Sequence, residues 1–184
     1  MYELSLNIMD IAQNSIRANA GLVTVCVNVD EARGMLEIVI GDDGDGMSDE
    51  VRKAVTDPFF TTRTTRKVGL GLPYYEMVAK MCGGWFELSS APGEGATVSA
   101  GFEIAHVDRA PLGDMGQTMA LLAGANPDID FVYTLTRGDG SFVFDTREIK
   151  ELLDGVGIDS PEVVMYMQGY INENSEIIIG GIVL

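Results

Sequence analysis

At 184 residues the chain can hold one domain, or one domain with a small appendage, and can bury a sizeable core. Its formal charge of -16 and isoelectric point near 4.2 oppose phosphate backbones and anionic lipid surfaces, so neither nucleic acid nor membrane is an expected partner. No apolar run approaches the ~20 residues of a membrane span, and MYELSLNIMDIAQ lacks the basic start of a secretory signal, so a cytoplasmic location is expected.

Residues 3 to about 18 read as a helix, with Leu4, Ile8, Ile11 and Ser15 in a mostly apolar stripe. Residues 22–30 alternate, with Val23, Val25, Val27 and Val29 on one face, and read as a strand. LEIVI at 36–40 is a second strand, followed by a Gly/Asp turn at 41–46 and a short helix near 49–55. A Thr/Arg-rich loop covers 56–69, and a helix over 70–82 stops at Gly83 and Gly84. Strands near 85–90 and 96–104 are joined by the turn APGEG. AHVDRAPLG then reads as a linker, which divides the chain into 1–105, a linker at 106–113, and 114–184. Beyond the linker, a helix at 114–124, a hairpin from 129–136 and 141–145, and helices at 146–154 and 161–173 are expected. The order predicts an α+β sandwich with helices on one face of a sheet. Cys26 and Cys82 offer neither metal spacing nor a disulfide framework, and are expected as buried free thiols.

Four segments carry possible chemistry. On the first helix, Asn7, Asp10, Asn14 and Arg17 recur at spacings that share one face, which is either solvated or aimed into a site. Asp10 and Asn14 could together hold a water and a metal-bound phosphate, since magnesium takes few protein oxygens. GDDGDGM follows a buried strand. Its glycines permit close backbone approach, and a carboxylate there could accept from an exocyclic amine; an acidic surface turn is the rival reading. A calcium loop is excluded because, with Gly46 at the invariant turn position, position 12 falls on Arg52. DPFFTTRTTRKVGLGLP places Gly69 and Gly71 at a helix start, where free amides favour anions, beside Arg63, Arg66 and Lys67. Its spacing matches neither a Walker loop nor a dinucleotide fingerprint. PGEGAT, taken alone, is a hairpin turn.

The order of these four segments is more specific than any one of them. An Asn-bearing helix, DxGxG after a strand, Phe-Phe-Thr-Thr before a Gly-Leu-Gly-Leu helix start, and GxG at a hairpin together resemble the GHKL superfamily of gyrase, heat-shock chaperone, histidine kinase and mismatch-repair ATPases. The resemblance covers residues 2–104. It implies a Bergerat-type α/β sandwich, a mixed sheet with helices on one face, followed by a small α+β C-terminal extension, with ATP and magnesium as cofactors. By this match Asn14 is the magnesium ligand and a nucleotide contact, and Asp10 stands in for the general-base glutamate. Asp42 is matched to the adenine-binding carboxylate, with Gly44, Gly46 and Met47 in the same box. Thr61, Thr62, Arg63, Lys67, Gly69, Leu70, Gly71 and Leu72 fall in the lid segment, which looks most like that of sensor histidine kinases. GEGAT matches the last box, where a hydroxyl supports the adenine-binding Asp through water. Ala96 occupies the position where many relatives carry threonine, so Thr97 is the candidate hydroxyl.

The resemblance leaves three classes of function. The only histidine, His106, lies in the linker, and the domain begins at Met1 without a phosphoacceptor hairpin, so self-phosphorylation of the usual kind is not expected. The first class is a serine-type protein kinase acting in trans on a protein partner, similar to the stand-alone kinases of anti-sigma antagonists. The second is a slow magnesium-dependent ATPase whose nucleotide state drives homodimerisation. It is disfavoured because 114–184 is short for a transducer domain and its one lysine, Lys150, falls on a helix face. The third is a module that binds ATP or ADP without turnover. The acidic C-terminal part is expected to dock a partner.

Overall fold

The computed structural model describes residues 3–55, 71–182 and 184. The elements are α1 (Leu4–Arg17), β1 (Leu22–Asp30), β2 (Met35–Asp42), α2 (Asp49–Ala54), α3 (Gly71–Met81), β3 (Trp85–Ser90), β4 (Ala96–Glu103), α4 (Met115–Ala125), β5 (Asp130–Arg137), β6 (Gly140–Asp145), α5 (Thr146–Leu152) and α6 (Pro161–Ile179). The six strands form one mixed sheet in the order β3-β4-β2-β1-β5-β6. All neighbours are antiparallel except β1 and β5, which run parallel with Leu22 opposite Asp130 and Val29 opposite Arg137.

Strand alternation decides where the core sits. Val23, Val25, Val27 and Val29 of β1 register with Leu36, Ile38 and Ile40 of β2 and with Phe131, Tyr133 and Leu135 of β5, and all are buried. Val98, Ala100 and Phe102 of β4 continue the same face. The helices cover it: α1 packs against both α3 and α4, and α4 packs against α6. The sheet's other face carries Thr24, Cys26 and Asn28 of β1, of which Cys26 is exposed. The expectation of two buried thiols therefore holds for Cys82 alone, because Cys26 alternates with the inward valines.

The α+β sandwich read from the sequence is the observed architecture. Most boundaries agree to within one or two residues. The largest difference is α6, which continues to Ile179 before Gly180 caps it in the left-handed region at φ 60°. Arg137 reaches across from β5 to the carbonyls of Ile178 and Ile179 at that helix end, where a cation suits the dipole. The linker segment is pinned near its C-terminal end. Leu4 N–H donates to the Pro111 carbonyl at 2.9 Å, and Leu112 N–H to the Leu184 carbonyl at 3.0 Å. No helix among the described residues is long and apolar enough to cross a membrane.

Candidate functional site

The site forms where the C-terminal half of α1 passes over the end of β2. The inward positions of β2 are Leu36, Ile38 and Ile40, and the next in the series is Asp42. Register alone therefore turns this carboxylate inward, beneath α1. The other acids of the turn have separate tasks. Asp43 Oδ1 accepts the N–H groups of Gly21 and Leu22 at 2.7 and 2.8 Å, and Asp45 Oδ2 accepts from the Asn19 side chain at 2.7 Å. The acidic turn is thus partly a clasp for the start of β1, and Asp42 alone of its three acids lines a cavity.

Asp42 is held from three sides. Its Oδ2 accepts the Ser15 hydroxyl at 2.6 Å, and its Oδ1 accepts the N–H groups of Gly44 at 3.0 Å and Ala96 at 3.2 Å. The flanking loops are fitted against each other at backbone level. Asp45 N–H donates to the Ala18 carbonyl at 2.7 Å, and a Cβ on Gly44 would press on that same carbonyl. Gly46 has φ 67°, and a Cβ there would run into the Ala91 carbonyl, so this position needs glycine on both counts. Ser90 Oγ accepts from Met47 N–H at 2.9 Å and donates to the Gly95 carbonyl at 2.6 Å, tying the β2 turn to the β3–β4 turn.

The resulting cavity measures about 310 Å³. Its walls are largely apolar, from Ile11, Met47, Val51, Leu72, Leu88 and Val98, and its polar points are Asn14, Ser15, Arg17 and Asp42. Gly46, Gly71 and Ala96 also border it. A slot of this kind suits a flat heteroaromatic ring read by a single carboxylate. At one side Asn14 Oδ1 accepts from the Arg17 guanidinium at 2.9 Å.

The structure brings Asn14, Asp42, Gly46, Met47, Gly71 and Leu72 to one cavity, with Gly44 buried against its edge. Asp10 is exposed on α1 and does not border the cavity among the described residues; a Cβ on Gly71 would lie 4.0 Å from its own Cβ, so Asp10 abuts the start of α3. The shared helix face of the sequence reading is split: Asn7 is buried while Asp10 and Arg17 are exposed. Thr97 does not join. Ala96 and Val98 face inward on β4, so Thr97 faces outward, with its hydroxyl 3.7 Å from where a Gly41 Cβ would stand. Thr61, Thr62, Arg63, Lys67, Gly69 and Leu70 lie outside the described residues.

Sequence reasoning missed Ser15, Ser90 and the Ala96 N–H as supports of the site, and did not assign Arg17 to Asn14. Only the i, i+3 spacing of Asn14 and Arg17 was a usable signal.

Residues 3–106 match the family model described as histidine kinase-, DNA gyrase B-, and HSP90-like ATPase. A putative sensor protein of Shewanella frigidimarina is 29% identical over 109 residues, which cover 59% of this chain and 16% of that protein. The sensor histidine kinase ZraS of Klebsiella oxytoca is 31% identical over 91 residues, covering 48% of this chain and 19% of the kinase. The chain thus spans less than a fifth of the length of either relative. The solved N-terminal domain of a DNA repair protein shares the fold, with a TM-score of 0.51 at 15% identity over 78% of this chain and 52% of that one. With more than half of its length matched by the family model, the chain belongs to the histidine kinase-, DNA gyrase B-, and HSP90-like ATPase family.

Proposed function

We propose that the cavity binds ATP, with the adenine at Asp42 and the phosphates toward Asn14 and the start of α3, and that the chain is a serine-type protein kinase acting in trans. Asp42 carries the nucleotide reading. It is an inward carboxylate, clamped by three donors, at the end of an apolar slot where an exocyclic amine can reach it. Membership of the family implies ATP binding. Relatives named as sensor proteins support a role in signalling.

The donor set fits magnesium. Asn14 offers one amide oxygen at the cavity, and its second lone pair remains available beside the Arg17 contact. Magnesium keeps most of its waters and takes its remaining oxygens from phosphates, so one protein oxygen suffices. Bound there, it would neutralise charge on the phosphates. Arg17 would donate to a phosphate oxygen from the same side. In the transfer step the partner's hydroxyl oxygen forms a bond to the γ-phosphorus and the bond to the β–γ bridging oxygen breaks. Asp10 takes the hydroxyl proton and ADP leaves.

A second reading follows from Asp10. It stands outside the cavity lining, which favours a module that holds ATP or ADP with little or no turnover, or a slow ATPase that dimerises on nucleotide. The test is transfer from γ-labelled ATP with magnesium, comparing the wild type with Asn14→Ala, first on purified protein and then with extract from the source cells. Label on an extract protein that disappears in the variant is the expected result. Free phosphate alone, also lost in the variant, would move the assignment to the ATPase. Neither product would leave nucleotide binding without chemistry.

A further inference from the structure

We infer that Ser15 makes the base end of the cavity selective for a 6-aminopurine, by holding Asp42 in place as the acceptor of that amino group. The inference rests on the nucleotide reading above.

Ser15 is 4% exposed and sits on the inward face of α1, between Ile11 and the helix end. Its hydroxyl donates to Asp42 Oδ2 at 2.6 Å, in the short range of charge-assisted O–H···O bonds. A carboxylate offers about four acceptor positions. Two on Oδ1 are taken by the Gly44 and Ala96 amides and one on Oδ2 by Ser15, which leaves a single position, on Oδ2. An exocyclic N–H completes the set. A 6-oxo purine instead sets acceptor against acceptor, and a purine with no substituent leaves the position empty.

Ser15 is the one side chain among the described residues that donates to this carboxylate. Ala96, directly opposite Asp42 in the β2–β4 ladder, presents only a methyl group and its N–H. Without the Ser15 hydroxyl, Oδ2 has no anchor and the carboxyl can turn toward its two amide donors. Ser15 also follows Asn14 directly, so one turn of α1 fixes both the amine reader and the phosphate end of the cavity. Ser15 acts through Asp42 and is a positioning residue.

The test is equilibrium titration of the full chain, with magnesium, by three triphosphates: ATP, ITP, whose base is 6-oxo and carries no amino group, and purine riboside triphosphate, which is ATP without its amino group. The wild type is expected to prefer ATP over the amino-free analogue by tenfold or more. Ser15→Ala should lose about tenfold in ATP affinity while its affinity for the analogue is unchanged, so the preference collapses. Ser15→Thr should restore it. Equal losses for ATP and the analogue would mean that Ser15 only packs, and would overturn the inference, as would an unchanged preference. A wild type that binds none of the three removes the nucleotide reading itself, and the inference with it. Should Ser15→Ala lose its cooperative thermal transition, the same ratio is read on Ser15→Cys, which keeps the volume but is a weak donor.

Discussion

A buried hydroxyl has two possible fates in this protein. Ser15 finds a carboxylate 27 positions away, whereas the Tyr75 hydroxyl has no hydrogen-bond partner among the described residues. Tyr75 is fully buried on α3, against the rings of Phe86 and Phe102, and burial pushes its phenol far above the ordinary range. Its ring does the packing and its oxygen adds only desolvation cost. Tyr75→Phe is therefore expected to leave stability unchanged or to raise it by about 1 kcal/mol, while Tyr75→Ala should cost about 3–5 kcal/mol, both read from denaturant midpoints. Asp145 is the opposite case. It caps α5, accepts from Arg147 through side chain and backbone, and its carboxyl is held below the ordinary aspartate range, first by the Arg147 side-chain bond. A lowered folded value means that the ionised form stabilises the fold. That contribution is complete above about pH 4 and is lost as pH falls through the folded value. Asp145→Asn should flatten the acid limb of a stability-versus-pH curve. The Ser15–Asp42 partnership was not legible in the sequence. Ser15 falls at helical spacing in an apolar stripe and reads as packing, because only the register of β2 brings Asp42 beneath it.

At the scale of elements, local patterning served well where alternation or helical period was strong, and less well where a ladder outlasted its apolar run. LEIVI marks the middle of β2, but pairing with β1 and β4 continues through Gly41 to Asp42, the residue at the centre of the site. Thr97 shows the same logic in reverse: a one-residue offset in a strand sends a hydroxyl to the other face. The β3–β4 turn is where sequence and geometry agree most closely. Gly95 has φ 74°, and a Cβ there would strike the Asp42 carbonyl. Gly95→Ala should destabilise the fold by about 2 kcal/mol or more, from the left-handed backbone and the clash together. It should also weaken ATP binding, because the strand end it displaces is the one that presents Asp42. Gly93, with φ 77° and open space around it, is the control; Gly93→Ala carries the backbone strain alone and should leave ATP affinity unchanged.

Across the whole molecule, the elements after residue 113 were readable one by one, but their destination was not. The hairpin of β5 and β6 extends the main sheet, and its parallel pairing with β1 joins segments more than a hundred residues apart. Nothing in local alternation specifies such a partner, since β1 has the same apolar face whichever strand lies beside it. The pairing has an energetic consequence. Ending the chain at residue 113 would leave β1 as an edge from Leu22 to Val29, strip α4 from α1, and open the flank of the inward valines that Phe131, Tyr133 and Leu135 now extend. An unpaired, strongly apolar edge of that length invites association. We therefore expect the 1–113 fragment to aggregate, or to melt about 10 °C or more below the full chain, as followed by circular dichroism at matched concentrations. A cooperative, monomeric transition at the full chain's temperature would instead show that the family-matched segment folds by itself and that β5, β6 and their helices are an addition to it.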